Sequence, residues 1–395
     1  MGLVIHNEKI NKTTAEELTK ICPFGAISYD GELKISSACK MCKLCVKRGP
    51  QGAITFEEEA TPVCNKDEWK GIAVFAEQRN GRIHPVSLEL VGKARELSKV
   101  TNHPVFVVLI GSDLENAASE ILSYGVDKVY VYNNKAFSNF VISPYANAFT
   151  DFIEKIKPSS ILVGATSLGR SLAPKVAARV KAGLTADCTM LEMKDNTDLV
   201  QIRPAFGGNI MAQIITPNTR PQFCTVRYKI FSAPEKCEPI GEIVDMPVSA
   251  EMIEDNTEVI KTVNKPEEID ISDAEIIVAV GRGLKSKEDL LLAQNLADKL
   301  GAQIACTRPL VENGWFDAKR QIGLSGRTVK PKLIITLGIS GSVQFAAGMQ
   351  NSDKIIAVNN DKQAPIFKFA HYGFVGDLYE IVPMLIKRIE EGQYV

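Results

Sequence analysis

Residues 333–361 read LIITLGISGSVQFAAGMQNSDKIIAVNND. An apolar run gives way to the loop Gly338-Ile339-Ser340-Gly341, then to a helical segment, then to a second apolar run at 354–359. A strand, a glycine loop opening a helix and a second strand make a βαβ unit with parallel strands. The same grammar continues upstream. AEIIVAV (274–280) leads into Gly281-Arg282-Gly283 and the helix SKEDLLLAQNLADKLG (286–301), where Ser286 and Asp289 form a capping pair. A short strand around 303–305 precedes Thr307-Arg308, Asn359-Asn360-Asp361 follows the run at 354–358, and DLYEIVPMLIKRIEEG (377–392) predicts a closing helix. Open parallel sheets bind ligands outside the carboxyl ends of their strands. Helix starts preceded by glycine offer free N–H groups to a pyrophosphate. The last third is therefore expected to be a doubly wound α/β domain that binds a nucleotide, whose identity the spacing leaves open.

The alternation reaches back to Gly71. GIAVFA (71–76), PVFVVLI (104–110), VDKVYVY (126–132) and SILVGA (160–165) read as buried strands, with VSLELVGKARELSK (86–99) a helix between them. Residues 184–230 are richer in strands, including DLVQIRPAF (198–206) and QFCTVRYKI (222–230). The stretch from about 235 to 272, dense in Pro, Glu and Asp, reads as an extended linker with room for one strand. GATSLGRS (164–171) lies between a strand and a helix but lacks the P-loop lysine and the G-x-G-x-x-G spacing, so a plain strand–helix turn is the better reading. The chain divides into an N-terminal domain at 1–65, an α/β domain at 66–235, a linker at 236–272 and a nucleotide-binding α/β domain at 273–395.

With 395 residues, 45% hydrophobic and 24% charged, the chain can build several cores. A formal net charge of −1 argues against nucleic acid or an anionic membrane as the main partner. No apolar run approaches the ~18 residues of a membrane helix. Glu8, Glu16 and Glu17 suit neither a secretory signal nor a transit peptide. A cytoplasmic protein is expected.

Of nine cysteines, five fall within the first 64 residues, a clustering that favours metal binding over disulfides. Cys39-x-x-Cys42-x-x-Cys45 sets three thiolates on one loop, and Cys22, followed by Pro23, offers a fourth. CPFGAI (22–27) and GPQGAI (49–54) repeat the pattern x-P-x-G-A-I 27 residues apart. The segment resembles two-cluster bacterial ferredoxins, which use C-x₂-C-x₂-C-x₃-C-P twice, each run lending its fourth cysteine to the other cluster. At the matching positions of the first run stand Lys12, Ala15 and Leu18, and the second run's crossing ligand is replaced by Gly49. One whole ligand set survives, Cys22, Cys39, Cys42 and Cys45, so the resemblance implies a single [4Fe–4S] cluster. Zinc is the alternative, although it prefers two separated C-x₂-C pairs. Cys64 is expected to be a free or partly buried thiol, and Cys188, Cys224, Cys237 and Cys306 to be core thiols.

Residues 333–361 and APIFKFAHYGFVGDL (364–378), with GRGLKS (281–286), TRPLVENGW (307–315) and GLSGRTVKP (323–331) in the same order, resemble the FAD-binding domain of electron-transferring flavoprotein (Etf) α subunits. The body from about residue 70 is similar to the same family. The resemblance implies that Arg282, Ser340, Gly341, Asn359 and Asp377 hold the ribityl, pyrophosphate and adenosine parts of FAD, with Ser342, Val343 and Leu378 beside them. It places Thr307, Arg308, Gly323, Leu324, Ser325 and Gln344 around the isoalloxazine. A fixed guanidinium at Arg308 would favour the negative charge that reduction brings near N1 and O2, and Ser325 would face N5. Where the family usually has His after Gln, this chain has Phe345, so an apolar ring replaces a donor near O2.

The family further implies a β subunit with its own FAD. An α subunit with a ferredoxin-like extension resembles those of anaerobic electron-bifurcating complexes. There NADH would deliver electrons through the β subunit, one passing to ferredoxin and the other through the α-subunit FAD to an acyl-CoA dehydrogenase-type flavoenzyme. A caffeyl-CoA reductase–Etf complex is the first expectation, and a lactate dehydrogenase–Etf complex the alternative. A redox sensor without electron throughput is a third reading. A self-contained NAD(P)H flavoenzyme would need a second dinucleotide fingerprint, which is absent. Alone, the chain is expected to carry electrons and to turn over no organic substrate.

Overall fold

Valine- and isoleucine-rich runs flanked by helical segments have one good solution, a parallel sheet buried on both faces. The computed structural model describes residues 2–57, 64–205, 208, 210–263 and 270–392. It comprises two compact units, Met1–Val63 and Cys64–Val395.

The small unit contains β1 (Gly2–Ile5), α1 (Lys12–Ile21), β2 (Ile27–Tyr29), β3 (Leu33–Ile35), α2 (Leu44–Arg48) and β4 (Ile54–Glu57). β1 pairs antiparallel with β4, and β2 with β3. Strand–helix–strand therefore occurs twice, as the sequence repeat requires. The repeat's Ala26 and Ala53 are both buried, as are Ile27 and Ile54 at the starts of β2 and β4. α1 opens on a capping box in which Asn11 and Thr14 each accept the other's backbone N–H.

The large unit begins with β5 (Ile72–Ala76), the hairpin β6 (Gln78–Arg79) and β7 (Arg82–Ile83), α3 (Pro85–Thr101), β8 (Val105–Gly111), α4 (Glu115–Leu122) and β9 (Lys128–Asn133). α5 (Ile142–Ile156), β10 (Ser160–Gly164), α6 (Ser167–Arg179), β11 (Leu184–Cys188), β12 (Met190–Met193), β13 (Leu199–Ala205), β14 (Ile210–Ile214) and β15 (Gln222–Val226) follow. A seven-stranded parallel sheet runs β11-β15-β10-β5-β8-β9 and ends on β16 (Glu242–Asp245), which pairs with β9. Alternate residues feed opposite faces. Val74 and Leu109 join one core, while Phe75, Val108 and Ile110 join the other, against α5. β12, β13 and β14 form a separate antiparallel sheet. The stretch read as a linker thus supplies an edge strand, and also the short α7 (Ala250–Ile253). Its residues 264–269 lie outside the described residues.

The C-terminal part contains β17 (Ile276–Val280), α8 (Leu290–Leu300), β18 (Gln303–Cys306), α9 (Arg308–Glu312), β19 (Leu333–Leu337), α10 (Val343–Ala346), β20 (Lys354–Asn359), β21 (Tyr372–Val375) and α11 (Leu378–Glu390). Its five-stranded sheet runs β18-β17-β19-β20-β21, and every pairing is parallel. From β17 the chain first steps to one side, to β18, and then crosses to β19. The switch point lies between β17 and β19, where a ligand cleft is expected. α8 begins at Leu290, four residues later than the sequence reading, because Asp289 accepts from the Ser286 N–H and the Tyr379 hydroxyl and holds residues 286–289 as a turn.

Candidate functional site

A half-open cleft of about 430 Å³ sits at that switch point. The loops after β17 and β19 cross there in direct contact, with the Gly283 N–H donating to the Gly338 carbonyl at 2.9 Å. A Cβ on Gly283 would stand 2.5 Å from the Gly338 Cα, so only glycine permits the crossing. Asn359, at the end of β20, donates from Nδ2 to the Ile339 carbonyl at 2.8 Å and accepts from the Asp361 N–H at 2.9 Å. These bonds fix the floor of the cleft. Ser342 caps the short α10 by accepting from the Phe345 N–H.

Arg282, Ser340, Ser342 and Asn359 line the cleft on this side. Thr307, Arg308, Gly323, Leu324, Ser325, Gln344 and Phe345 line it on the other. Four expected residues do not. Gly341, at φ +81°, packs its Cα against the backbone of Ile366, and Leu378 is buried in the core beneath α11. Asp377 turns its carboxylate to its own helix, accepting from the Tyr379 N–H at 2.9 Å, and Val343 is exposed on α10. A half-open cleft lined by backbone and hydroxyl groups suits a nucleotide such as FAD, and its glycine crossing is a cradle that any side chain would fill.

One detail departs from the expectations. Arg308 is held at the surface rather than by the core: its side chain is 67% exposed and donates from Nε to Glu312 Oε1 at 2.8 Å, one helical turn away. Phe345 borders the cleft but is 4% exposed and belongs to the core that includes Ile322 and Met349, which explains an apolar residue there. Ser325 Oγ accepts from Gln321 Nε2 at 2.8 Å, so the hydroxyl proton remains available to an acceptor.

The end of β15 grips this region, a feature with no signal in the local sequence. Arg227 Nη2 donates to the Leu324 carbonyl at 2.6 Å and pairs with Asp187 at 3.1 Å, and Asp187 also binds Arg170. Tyr228 donates to Asp273 Oδ1 at 2.7 Å, and Lys330 to Ser232 at 3.2 Å. Gly208, between β13 and β14, packs beside Leu324 and Val343. Behind this junction Glu89 on α3 accepts from the Lys229 N–H at 3.0 Å, and burial pushes its carboxyl up to about 7 despite Lys229 and Lys330 nearby.

A larger cavity, about 820 Å³, lies where Thr166 follows β10 and Glu77 follows β5, the switch point of the seven-stranded sheet. Thr166 caps α6 by accepting from the Gly169 N–H at 3.0 Å, and its hydroxyl donates to the Glu77 carboxylate. With a carboxylate already at the helix start, the loop at 164–171 is structural rather than a phosphate cradle.

In the small unit, Cys22, Cys39, Cys42 and Cys45 line one narrow cavity. The loop between them takes left-handed backbone at two non-glycine positions, Met41 (φ 51°) and Lys43 (φ 59°), a strain typical of ligand-holding loops. N–H groups of Ala26 and Met41 point at Cys22 Sγ and Cys39 Sγ, each at 3.4 Å. Burial and the neighbouring Cys39 and Cys42 push the Cys45 thiol up, so a thiolate there needs a cation beside it. Among the described residues no three His, Cys, Asp or Glu side chains converge as ligands of a single metal ion would. Where the repeat lacks cysteines it is tightly packed: Ala15 and Leu18 are fully buried, and a Cβ on Gly49 would stand 2.6 Å from Leu18 Cδ2. Cys64 is partly buried, and Cys188, Cys224 and Cys306 are buried. Cys237 is exposed, contrary to expectation, because it lies after β15 outside any regular element.

A doubly wound parallel sheet with a cleft at its switch point, joined to a second parallel sheet, defines an α/β protein of the nucleotide-binding type. Residues 72–266 match the electron transfer flavoprotein domain, and residues 270–350 match the electron transfer flavoprotein FAD-binding domain. The chain belongs to the electron transfer flavoprotein family, on the α-subunit side. It is 59% identical over 391 residues to lactate dehydrogenase (NAD(+),ferredoxin) subunit LctC of Acetobacterium woodii, a match covering 98% of this chain and 94% of that one. It is 41% identical to the electron transfer flavoprotein subunit alpha of Thermoanaerobacterium thermosaccharolyticum, covering 82% and 99%. It is 38% identical to the acryloyl-CoA reductase electron transfer subunit beta of Anaerotignum propionicum, covering 83% and 97%. No described helix is long and apolar enough to cross a membrane.

Proposed function

We propose that this chain is the α subunit of an electron-bifurcating Etf complex, with FAD in the C-terminal cleft and one [4Fe–4S] cluster on Cys22, Cys39, Cys42 and Cys45. The ferredoxin-like domain at 1–65, the α/β domain at 66–235, the connecting segment 236–272 and the FAD domain at 273–395 are its parts. The observation that carries the reading is the meeting of Cys22 with the three cysteines of the 39–45 loop at one cavity, with N–H groups aimed at two of the sulfurs. A cubane exposes four irons on separate corners, so its thiolates need not converge on one point as they would on zinc. Hydrogen bonds to sulfur and partial burial are what set a cluster's potential.

FAD, when bound, supplies reversible one- and two-electron chemistry. The chain's residues would hold it in place. The Gly283–Gly338 crossing makes room, Ser340 and Ser342 offer hydroxyls, and Asn359 locks the floor. Ser325 presents a hydroxyl donor, and Arg308 adds positive charge, partly offset by Glu312.

The partner is better matched to the lactate alternative than to a caffeyl-CoA reductase. LctC resembles this chain over 391 residues, a span that must take in most of the small unit, and its name couples NAD(+) with ferredoxin. The complex would then also contain a β subunit with its own FAD, handling NADH, and a flavin dehydrogenase that oxidises a hydroxy acid. The test is to express this chain with its β subunit and dehydrogenase without oxygen, then assay lactate and caffeyl-CoA with NAD(H) and ferredoxin. Lactate-linked turnover requiring ferredoxin supports the proposal. Turnover with caffeyl-CoA alone restores the acyl-CoA reading, and flavin reduction too slow to sustain turnover would make the protein a sensor.

A further inference from the structure

We infer that the rim of the cysteine cavity is a docking surface for a small acidic electron-carrier protein, gripped by Lys40, Lys43, Lys47 and Arg48. This rests on the electron-transfer reading of the small unit and adds where, and by what chemistry, the carrier binds. Residues 36–50, SSACKMCKLCVKRGP, contain these four cations and no acidic residue. The whole chain has 46 basic and 47 acidic residues, so this is a local excess on a balanced protein. Lys40 and Lys43 line the cavity itself. Lys47 and Arg48 occupy the last turn of α2, the helix that carries Cys45. Lys40, Lys47 and Arg48 are exposed, and none makes an ion pair with a described residue, whereas Lys34 in the same unit pairs with Asp30.

Within this rim the surface is apolar and open. Phe24, which lines the cavity, is 47% exposed, and Met41 beside Cys42 is 42% exposed. Cys42 is exposed too, the least shielded of the four thiols. A small apolar patch ringed by cations, of which Lys40, Lys47 and Arg48 form no ion pair with a described residue, is the form of a transient redox interface. The cations steer an oppositely charged partner and raise its on-rate, while the apolar centre brings the two redox groups close and still lets the partner leave. Charge complementarity selects an acidic protein. The compact patch beside the metal-binding loop selects a small carrier rather than an extended partner.

The test uses the full-length chain in its complex, titrated with a purified acidic two-cluster ferredoxin at several salt concentrations. The variant is K40E/K47E/R48E, which spares all four cysteines, and the control is K12E/K20E on α1. Iron and sulfide are counted in every sample. The rim variant is expected to bind at least tenfold more weakly, with a flattened salt dependence, while the control behaves as the parent. Equal affinity and salt dependence in parent and rim variant would overturn the inference, as would an equal loss in the control. Docking by charge needs the rim rather than the iron. Rim-dependent binding in iron-free material would therefore defeat the cluster reading and leave the docking surface standing, whereas four irons with rim-independent binding would do the reverse.

Discussion

Arg227, at the end of β15, donates from Nη2 to the carbonyl oxygen of Leu324 at 2.6 Å and so ties the seven-stranded sheet to the rim of the C-terminal cleft. Its other partner, Asp187, holds it at 3.1 Å and is itself held by Arg170. A hydrogen bond from a charged donor contributes about 1.5–3 kcal/mol. Arg227→Gln should therefore weaken FAD binding roughly tenfold, read by flavin fluorescence titration. Arg227→Lys should recover part of the loss, and unchanged affinity in both would mean that the contact does not support the cleft.

Glu312 is expected to restrain Arg308. With FAD seated in the cleft as proposed, Glu312→Gln leaves the guanidinium uncompensated and should raise the FAD potential, and Arg308→Gln should lower it. Shifts on the order of 30 mV, equivalent to ~1.4 kcal/mol for a two-electron couple, would be resolved by spectroelectrochemical titration. Two shifts of the same sign would contradict the charge argument.

Gly341 takes φ +81°, and a Cβ there would lie 2.3 Å from the Ile366 nitrogen. Neither the backbone conformation nor the space suits alanine. Gly341→Ala should destabilise the protein by ~1–3 kcal/mol and lower its FAD content on purification, measured by thermal melting and by flavin absorbance per chain.

The buried Glu89 makes stability depend on pH. Its carboxyl, ordinarily near 4.5, is pushed up to about 7 by burial, so over that range the folded chain holds a proton that the unfolded chain releases. Its contribution is fully present below about 4.5, is lost as pH rises toward 7, and stays lost above. The gap corresponds to roughly 3 kcal/mol at most. Glu89→Gln, which keeps an acceptor for the Lys229 N–H, should gain stability over the parent at pH 8 and little at pH 5. Denaturant melts at the two values decide it, and an equal effect at both would refute the linkage.

The parallel strands were legible because a strand buried on both faces must be apolar throughout. The run at 104–110 becomes Val105–Gly111, and that at 332–337 becomes Leu333–Leu337. Glycine loops at strand ends located the cleft for a similar reason: Gly283 and Gly338 touch, and no other residue would allow it. What stayed hidden was long-range. Nothing near Arg227 announces Leu324, 97 residues away, and the one strand that 235–272 left room for proves to be EIVD at 242–245, whose pairing with β9 has no local signal. Arg308 was legible as a cleft residue, but its pairing with Glu312 is a matter of rotamer. Phe345 follows from packing, since its ring fills a core that a motif comparison does not register.

Counting iron, sulfide and FAD in the protein prepared without oxygen, beside a Cys39→Ser/Cys42→Ser variant, tests most directly whether both units hold redox centres. About four irons and one FAD per chain are expected, from one cubane and one flavin cleft, with the variant keeping its flavin and losing its iron. A chain carrying flavin but no iron, or one zinc in its place, would contradict the proposal of two redox centres on one chain.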